Sequence, residues 1–194
     1  MKQKISPLWI TLGIIGIILI MMLMFIIGTY NGLVSADETV NEKWANVQSA
    51  YQRRADLIPN LVETVKGFAA QEQDVFIGVT EARTQWLNSQ GGSIDSQMQA
   101  AQGLDSAIAR LLVTVESYPQ IKSNENFLSL QDELAGTENR IKVERDIYNG
   151  QVRNYNIRVR TFPQNMIAGL FGFEQKTMFE AQEGAQDAPD VSFT

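Results

Sequence analysis

Residues 127–162 read FLSLQDELAGTENRIKVERDIYNGQVRNYNIRVRTF. Phe127, Leu130, Leu134, Thr137, Ile141, Glu144 and Tyr148 recur in alternating steps of three and four, and Val152, Tyr155, Val159 and Phe162 continue the row. This is the period of one helix face and lies close to the heptad seam of a coiled coil, with a register slip between Tyr148 and Val152. Ser123 or Asn124 stands where an N-cap belongs. Phe162-Pro163 closes the segment, because the residue before a proline is pushed out of helical geometry. The pattern predicts one helix reaching about residue 161.

The same period extends towards the N-terminus. Met98, Ala101, Leu104, Ile108, Leu111 or Leu112, and Val115 mark a helix over about 95–117 that Tyr118-Pro119 ends. Gly91-Gly92 followed by Ser93 and Asp95 suits a helix stop, a turn and a new N-cap. Before it, one run over about 30–88 carries Val40, Trp44, Val47 and Tyr51, then Ile58, Leu61 or Val62, Val65 and Phe68, then Val75, Val79 and Trp86. Pro59 lacks a backbone donor and presses on the carbonyl of Ala55, so a kink or short break is expected there. At about 1.5 Å per residue, 37–88 would span roughly 78 Å against roughly 35 Å for the second helix and roughly 57 Å for the third. A short return cannot cover a long partner. The stripe Val40, Trp44, Val47 and Tyr51 is therefore expected to be covered by the C-terminal segment, a partner or another copy, and self-association through it is the working expectation.

From Leu8 through Trp9 to Ile27 there are 20 consecutive uncharged residues, and Thr11 is the only clearly polar one. That makes roughly 30 Å of helix, the thickness of a bilayer hydrocarbon core. Trp9 and Tyr30 flank it where amphipathic rings favour headgroups. A cleaved signal peptide is the rival, since Val34-Ser35-Ala36 has the small residues of a cleavage site. The apolar run is longer than the usual ~7–15 residues, which favours an uncleaved signal-anchor. Lys2 and Lys4 precede the span and Asp37 and Glu38 follow it, which places the N-terminus in the cytoplasm and the rest on the far side.

The fold class expected is all-α: an N-terminal transmembrane helix followed by an antiparallel up-and-down bundle of long helices. The chain divides into a short cytoplasmic N-terminus (1–7), a signal-anchor (8–28), a helical bundle (30–173) and an acidic tail expected to be flexible (174–194). Five acids and one lysine give that tail a net charge of −4. Met166–Phe173 is apolar but too short to span; it is either a lid on the bundle end or a docking patch for membrane or protein.

Composition narrows function. With no Cys and no His among 194 residues, disulfides, thiol catalysis, Ser-His-Asp arrangements and His-ligated metals are absent. A net charge of −6 offers no broad basic field, so no nucleic-acid partner is expected. Arg53, Arg54 and Asp56 could form a polar site at the Pro59 kink, or Asp56 and Asn60 could bond the backbone that Pro59 leaves unpaired. Asp56, Glu138 and Glu144 are the carboxylates that could hold Mg²⁺ or Ca²⁺ or serve a hydrolase, although their spacing does not demand it. Tyr148-Asn149 and Tyr155-Asn156 are seven apart and share a helix face, where such pairs fix register rather than react. Gly28 and Gly32 make a GxxxG at the membrane edge.

The order of these elements resembles the LemA family. The likeness runs through Tyr30-Asn31-Gly32-Leu33-Val34, Trp44, Arg54, Asp56-Leu57-Ile58-Pro59-Asn60-Leu61-Val62, Lys66-Gly67 and Tyr118-Pro119. It continues through Phe127, Leu130-Gln131, Leu134, Thr137-Glu138-Asn139-Arg140-Ile141, Arg145, Tyr148-Asn149, Tyr155-Asn156, Phe162-Pro163 and Gly172-Phe173. The resemblance implies a bacterial single-pass membrane protein with a helical-bundle domain and supplies no reaction; the inner membrane is where the chain is expected. The expectation is a non-catalytic scaffold of the bacterial envelope, in the lipid bilayer and self-associating, with the domain periplasmic or extracellular and no cofactor. An accessory subunit of a membrane protease or secretion complex is the alternative. The interaction and structural candidates are Trp44, Arg54, Asp56, Pro59, Asn60, Glu138, Asn139, Tyr148, Asn149, Tyr155, Asn156, Phe162 and Pro163.

Overall fold

The computed structural model describes residues 7–179; among them there are helices and no strand. Lys2 and Lys4, and residues 180–194 of the acidic tail, lie outside the described residues. The helices are α1 (Pro7–Lys66), α2 (Gln73–Ser89), α3 (Ile94–Val115), the single turn α4 (Pro119–Lys122), α5 (Glu125–Arg160) and α6 (Gln164–Phe171). They form two compact units, one from Met1–Glu42 with Gly150–Lys176 and one from Lys43–Asn149 with Thr177–Thr194.

The second unit is the bundle. Tyr51 meets Trp86 and Ala55 meets Arg83, so α2 returns along α1 in the opposite direction. Trp44 meets Gln97 and Tyr51 meets Asp105, so α3 runs with α1. Trp44 meets Tyr148 and Arg54 meets Glu138, so α5 runs against it. The expected up-and-down order holds.

The break in the long N-terminal run is not at Pro59, as the sequence suggested. Pro59 lies inside α1, which continues to Lys66; the chain turns at 67–72, after Gly67. The proline is tolerated because Arg83 Nε donates to the orphaned Ala55 carbonyl at 3.0 Å. Asp56 and Asn60, expected to perform that repair, are both exposed. The caps behave as read: Ser93 Oγ accepts from Ser96 N–H at 3.3 Å, and Asn124 Oδ1 accepts from Phe127 N–H at 3.1 Å.

The stripes are buried as the spacing predicts, from Ile58, Leu61 and Val65 on α1 to Phe127, Leu134, Ile141, Tyr148, Val152 and Tyr155 on α5. Leu130 and Val159 of the α5 row are only half-buried, and the other exceptions are at the ends. Phe68 and Phe162 are exposed, Ala69 is buried beside the first, and Phe76 rather than Val75 is buried on α2. Val40, Trp44, Val47 and Tyr51 are all buried within the single chain, which closes the expected route of self-association through that stripe.

In the first unit, Leu33 of α1 packs with Ile167 and Ala168 of α6, against Ile26, Val159 and Phe173. Gly172 ends α6 at φ 75°, a left-handed turn that a side chain would strain, and Phe173 N–H closes it on Ala168 O at 2.9 Å. The chain then continues without regular secondary structure through Phe179. Leu8 to Ile27 is different from every other helical stretch: its large apolar side chains stand exposed, and it is long and apolar enough to cross a membrane.

Candidate functional site

In the bundle, Arg54 is the centre of a buried polar cluster. Its position on α1 follows the apolar spacing of Val47, Tyr51, Ile58 and Leu61, so the helix carries a guanidinium into the core. Arg54 Nη1 lies 3.1 Å from Asp105 Oδ1 and also pairs with Glu138, whose side chain reaches in from a more exposed position. Tyr51 donates its hydroxyl to Asp105 Oδ2 at 2.9 Å, and Arg145 stands 3.9 Å from the same oxygen. Burial pushes the Asp105 carboxyl above its ordinary range, while Arg54 and the Tyr51 bond pull it back. Burial and the neighbouring Asp105 push Tyr51 well up, so its hydroxyl stays protonated and donates. One arginine thus ties α1, α3 and α5 together. A buried pair of this kind specifies an arrangement more than it adds stability.

A second cluster surrounds Phe179. Its ring stacks on Trp44 at 5.6 Å, meets Tyr148 edge-on at 5.9 Å and lies 4.3 Å beneath the Arg145 guanidinium. Asn149 grips the backbone of the same residue with both ends of its amide, donating to Phe179 O at 3.0 Å and accepting from its N–H at 2.8 Å. The Tyr148 hydroxyl donates to Thr177 O at 3.0 Å. Trp44 Nε1 donates to Gln97 Oε1 at 3.0 Å, which Gln48 Nε2 also reaches.

The first unit repeats the grip. Asn156 Nδ2 donates to Lys176 O at 2.8 Å and Asn156 Oδ1 accepts from Lys176 N–H at 2.9 Å. Lys176 in turn pairs with Asp37 at 2.9 Å and donates to Asn41 Oδ1 at 3.1 Å. Burial, then Asp37, push the Tyr155 hydroxyl up to about 12. The stretch Glu174–Phe179, at the start of the segment assigned to the tail, contains the residues these two asparagines bind: Phe179 for Asn149 and Lys176 for Asn156.

The remaining candidates divide. Asn139 is exposed, as are Pro59 and Pro163, and Asp56 accepts only from Gln52 Nε2 at 2.8 Å on the outer face. Glu144 is buried and pairs with Arg140 at 2.8 Å. The carboxylates Asp56, Glu138 and Glu144 therefore do not converge, and no group of three acids placed for a metal occurs among the described residues. Asp105, Gln97 and Phe179 were missed. The first two had a signal, because 97, 101, 105 and 108 follow the buried spacing of α3 and put polar residues on its apolar stripe. Phe179 stands in an acidic, aperiodic segment and had none.

Between α1 and α5 of the bundle runs an open groove of about 550 Å³ with Ala50 and Gly136 among its walls. Arg53, Glu133 and Arg140 also line it, and Arg53 pairs with Glu133 at 3.5 Å.

An exposed apolar helix and a bundle with a buried Arg54–Asp105–Tyr51 cluster, in which Arg54 Nε, Asp105 Oδ1 and the nearby Trp86 Nε1 lack a hydrogen bond, define the class: an all-α membrane protein with a helical-bundle domain. The LemA family profile matches residues 43–193, and the chain belongs to the LemA family. Among its relatives, magnetosome proteins MamQ 1 and MamQ 2 of Paramagnetospirillum magneticum are each 28% identical over 187 residues, covering 84% of this chain and 68% of theirs. Magnetosome protein MamQ of Magnetospirillum gryphiswaldense is 25% identical, covering 96% of this chain and 77% of its own. Protein LemA of Metamycoplasma hominis is 22% identical over 157 residues, covering 81% and 71%.

Proposed function

We propose that the chain is a non-catalytic, single-pass scaffold of the bacterial inner membrane that self-associates through its bundle. The observation that carries this reading is the fate of the polar groups. Arg54, Asp105, Tyr51 and Glu138 engage one another, with only Arg54 Nε and Asp105 Oδ1 of that cluster lacking a hydrogen bond, and Tyr148, Asn149 and Asn156 bond backbone, which supports an organised core over a reactive cleft. With the α1 stripe already covered, the α1–α5 groove is the surface assigned to the second copy. Its small residues admit a close approach, and its charges of both signs suit a self-complementary contact. Lys2 and Lys4 before the span support a cytoplasmic N-terminus with the domain outside.

The test is the mass of the full chain extracted in mild detergent. Multiples of the chain mass, reduced to one copy by Gly136→Leu, are the expected result. A Cβ at Gly136 meets nothing within 4 Å in its own chain, so the added side chain starts into the open groove, and an unchanged helical circular-dichroism spectrum of the variant checks that the bundle is kept. A single stoichiometric foreign partner would instead support the accessory-subunit reading. Because the chain has no Cys, Ser129→Cys, on an exposed position of α5 outside the groove, reports sidedness: labelling of intact cells by an impermeant thiol reagent is expected, and labelling only after lysis reverses the orientation.

A further inference from the structure

The short helix α6 presents two opposite faces. Ile167 and Ala168 are buried against Leu33, whereas Met166 is 65% exposed, Leu170 is 74% exposed, and Phe162 just ahead of the helix is 74% exposed. Exposed apolar side chains scattered over a surface need no explanation, but these are grouped and they have a fixed address. Phe171 and Phe173 pack on Tyr30 with ring centroids 4.8 and 5.7 Å apart, and Ile26 and Leu33 complete the contact. The apolar span ends at Ile27, so α6 rests on α1 from the last turn of the span to roughly 9 Å beyond it. That interval is the headgroup and acyl boundary of a bilayer, whose interfacial layers add roughly 5–8 Å to each side of the hydrocarbon core.

The charges agree. The chain as a whole is acidic, yet from Ile147 to Phe173 there is no Asp or Glu, while Arg153, Arg158 and Arg160 are present. Arg158 and Arg160 occupy the last turn of α5, immediately before Phe162 and α6. An open groove of about 520 Å³ beside them runs among Phe25, Gly28, Gly32, Arg158 and Gln164. Of its lining, Phe25 belongs to the span, while Leu33 and Arg158 lie beyond it. This is the order in which a phospholipid presents acyl chain and phosphate.

We propose that Phe162, Met166, Leu170 and Phe171 dock into the bilayer interface beside the span, with Arg158 and Arg160 meeting lipid phosphates. The surface is a second membrane contact, made by residues more than 130 positions from the anchor in sequence. Apolar rings and aliphatic side chains at this depth, rimmed by arginine, are what an interface-lying helix uses. Two contacts fix the inclination of the first unit to the membrane, where a single span would leave it free to swivel.

The proposal rests on α1 being the anchor, and the experiment separates the two. Single cysteines in the otherwise Cys-free full chain at Met166, Leu170 and Leu19 receive a nitroxide label, in vesicles of phosphatidylethanolamine and phosphatidylglycerol. Relaxation by oxygen, which partitions into lipid, is compared with relaxation by a water-soluble nickel chelate. The expected result is oxygen-dominated relaxation at all three positions, with Met166 and Leu170 at a depth between Leu19 and the lipid phosphate. Nickel-dominated relaxation at Met166 and Leu170, with Leu19 still in lipid, overturns the proposal and spares the anchor. Labels at 166 and 170 closed to both reagents mean that protein covers the patch, which also overturns it. Leu19 facing the chelate refutes the anchor and this proposal together.

Discussion

Leu19 and Leu61 belong to one unbroken helix, and Leu19 is 60% exposed while Leu61 is 0% exposed. Around Leu19 the helix is apolar on every side and none of the described residues covers it. Around Leu61 only one stripe is apolar, and the bundle covers that stripe completely. Helix propensity does not distinguish the halves; the solvent each was composed for does. An all-round apolar rod finishes its burial in lipid, whereas an amphipathic rod finishes it on its own chain. The polar residues follow suit. The membrane half carries only Thr11, which bonds back to Leu8 O, while the bundle half drives Arg54 inward and must provide it with carboxylates.

Four substitutions set the halves against each other, in order of expected effect. Arg54→Met leaves Asp105 buried with Tyr51 and a distant Arg145, and should lower bundle stability in denaturant by about 3 kcal/mol. Adding Asp105→Leu should restore most of that loss, because the uncompensated charge goes with it. Leu61→Ala should cost about 2–3 kcal/mol, whereas Leu19→Ala should leave the same transition within about 0.5 kcal/mol. Equal losses at the two leucines would erase the distinction drawn here.

Arg83→Met removes the donor that satisfies the Ala55 carbonyl and should cost about 1.5–2 kcal/mol. Hydrogen exchange should show faster opening around Pro59. The smallest effect concerns pH. The folded Asp105 carboxyl holds its proton more tightly than the unfolded 3.8. Its contribution to stability is therefore complete below 3.8 and is lost as pH rises through the raised folded value. Asp105→Asn should flatten the stability profile across that window and leave its slope elsewhere unchanged.

The sequence was most legible where burial is periodic. Alternating threes and fours place almost every buried residue of α5, and the exposed Phe162 falls where the helix ends and no neighbour remains to cover it. Pro59 misled because its cost is local but its remedy is tertiary: Arg83 lies on another helix, and no spacing within α1 announces it. Asp56 looked like the acid of the site because it follows the arginines closely, yet the two residues from Arg54 to Asp56 turn about 200° along a helix, which puts it on the outer face. Asp105 was readable on its stripe and was obscured by the expectation that such stripes are apolar. The grip of Asn149 and Asn156 on an irregular segment needed both partners, and the segment has no period of its own.

The central claim is that α1 serves two solvents as one intact rod. Alkaline extraction of membranes carrying the full chain, followed by intact-mass measurement of both fractions, tests it directly. The account predicts that the protein stays with the lipid and retains Met1 to Ala36. A released chain beginning at Asp37 would contradict it.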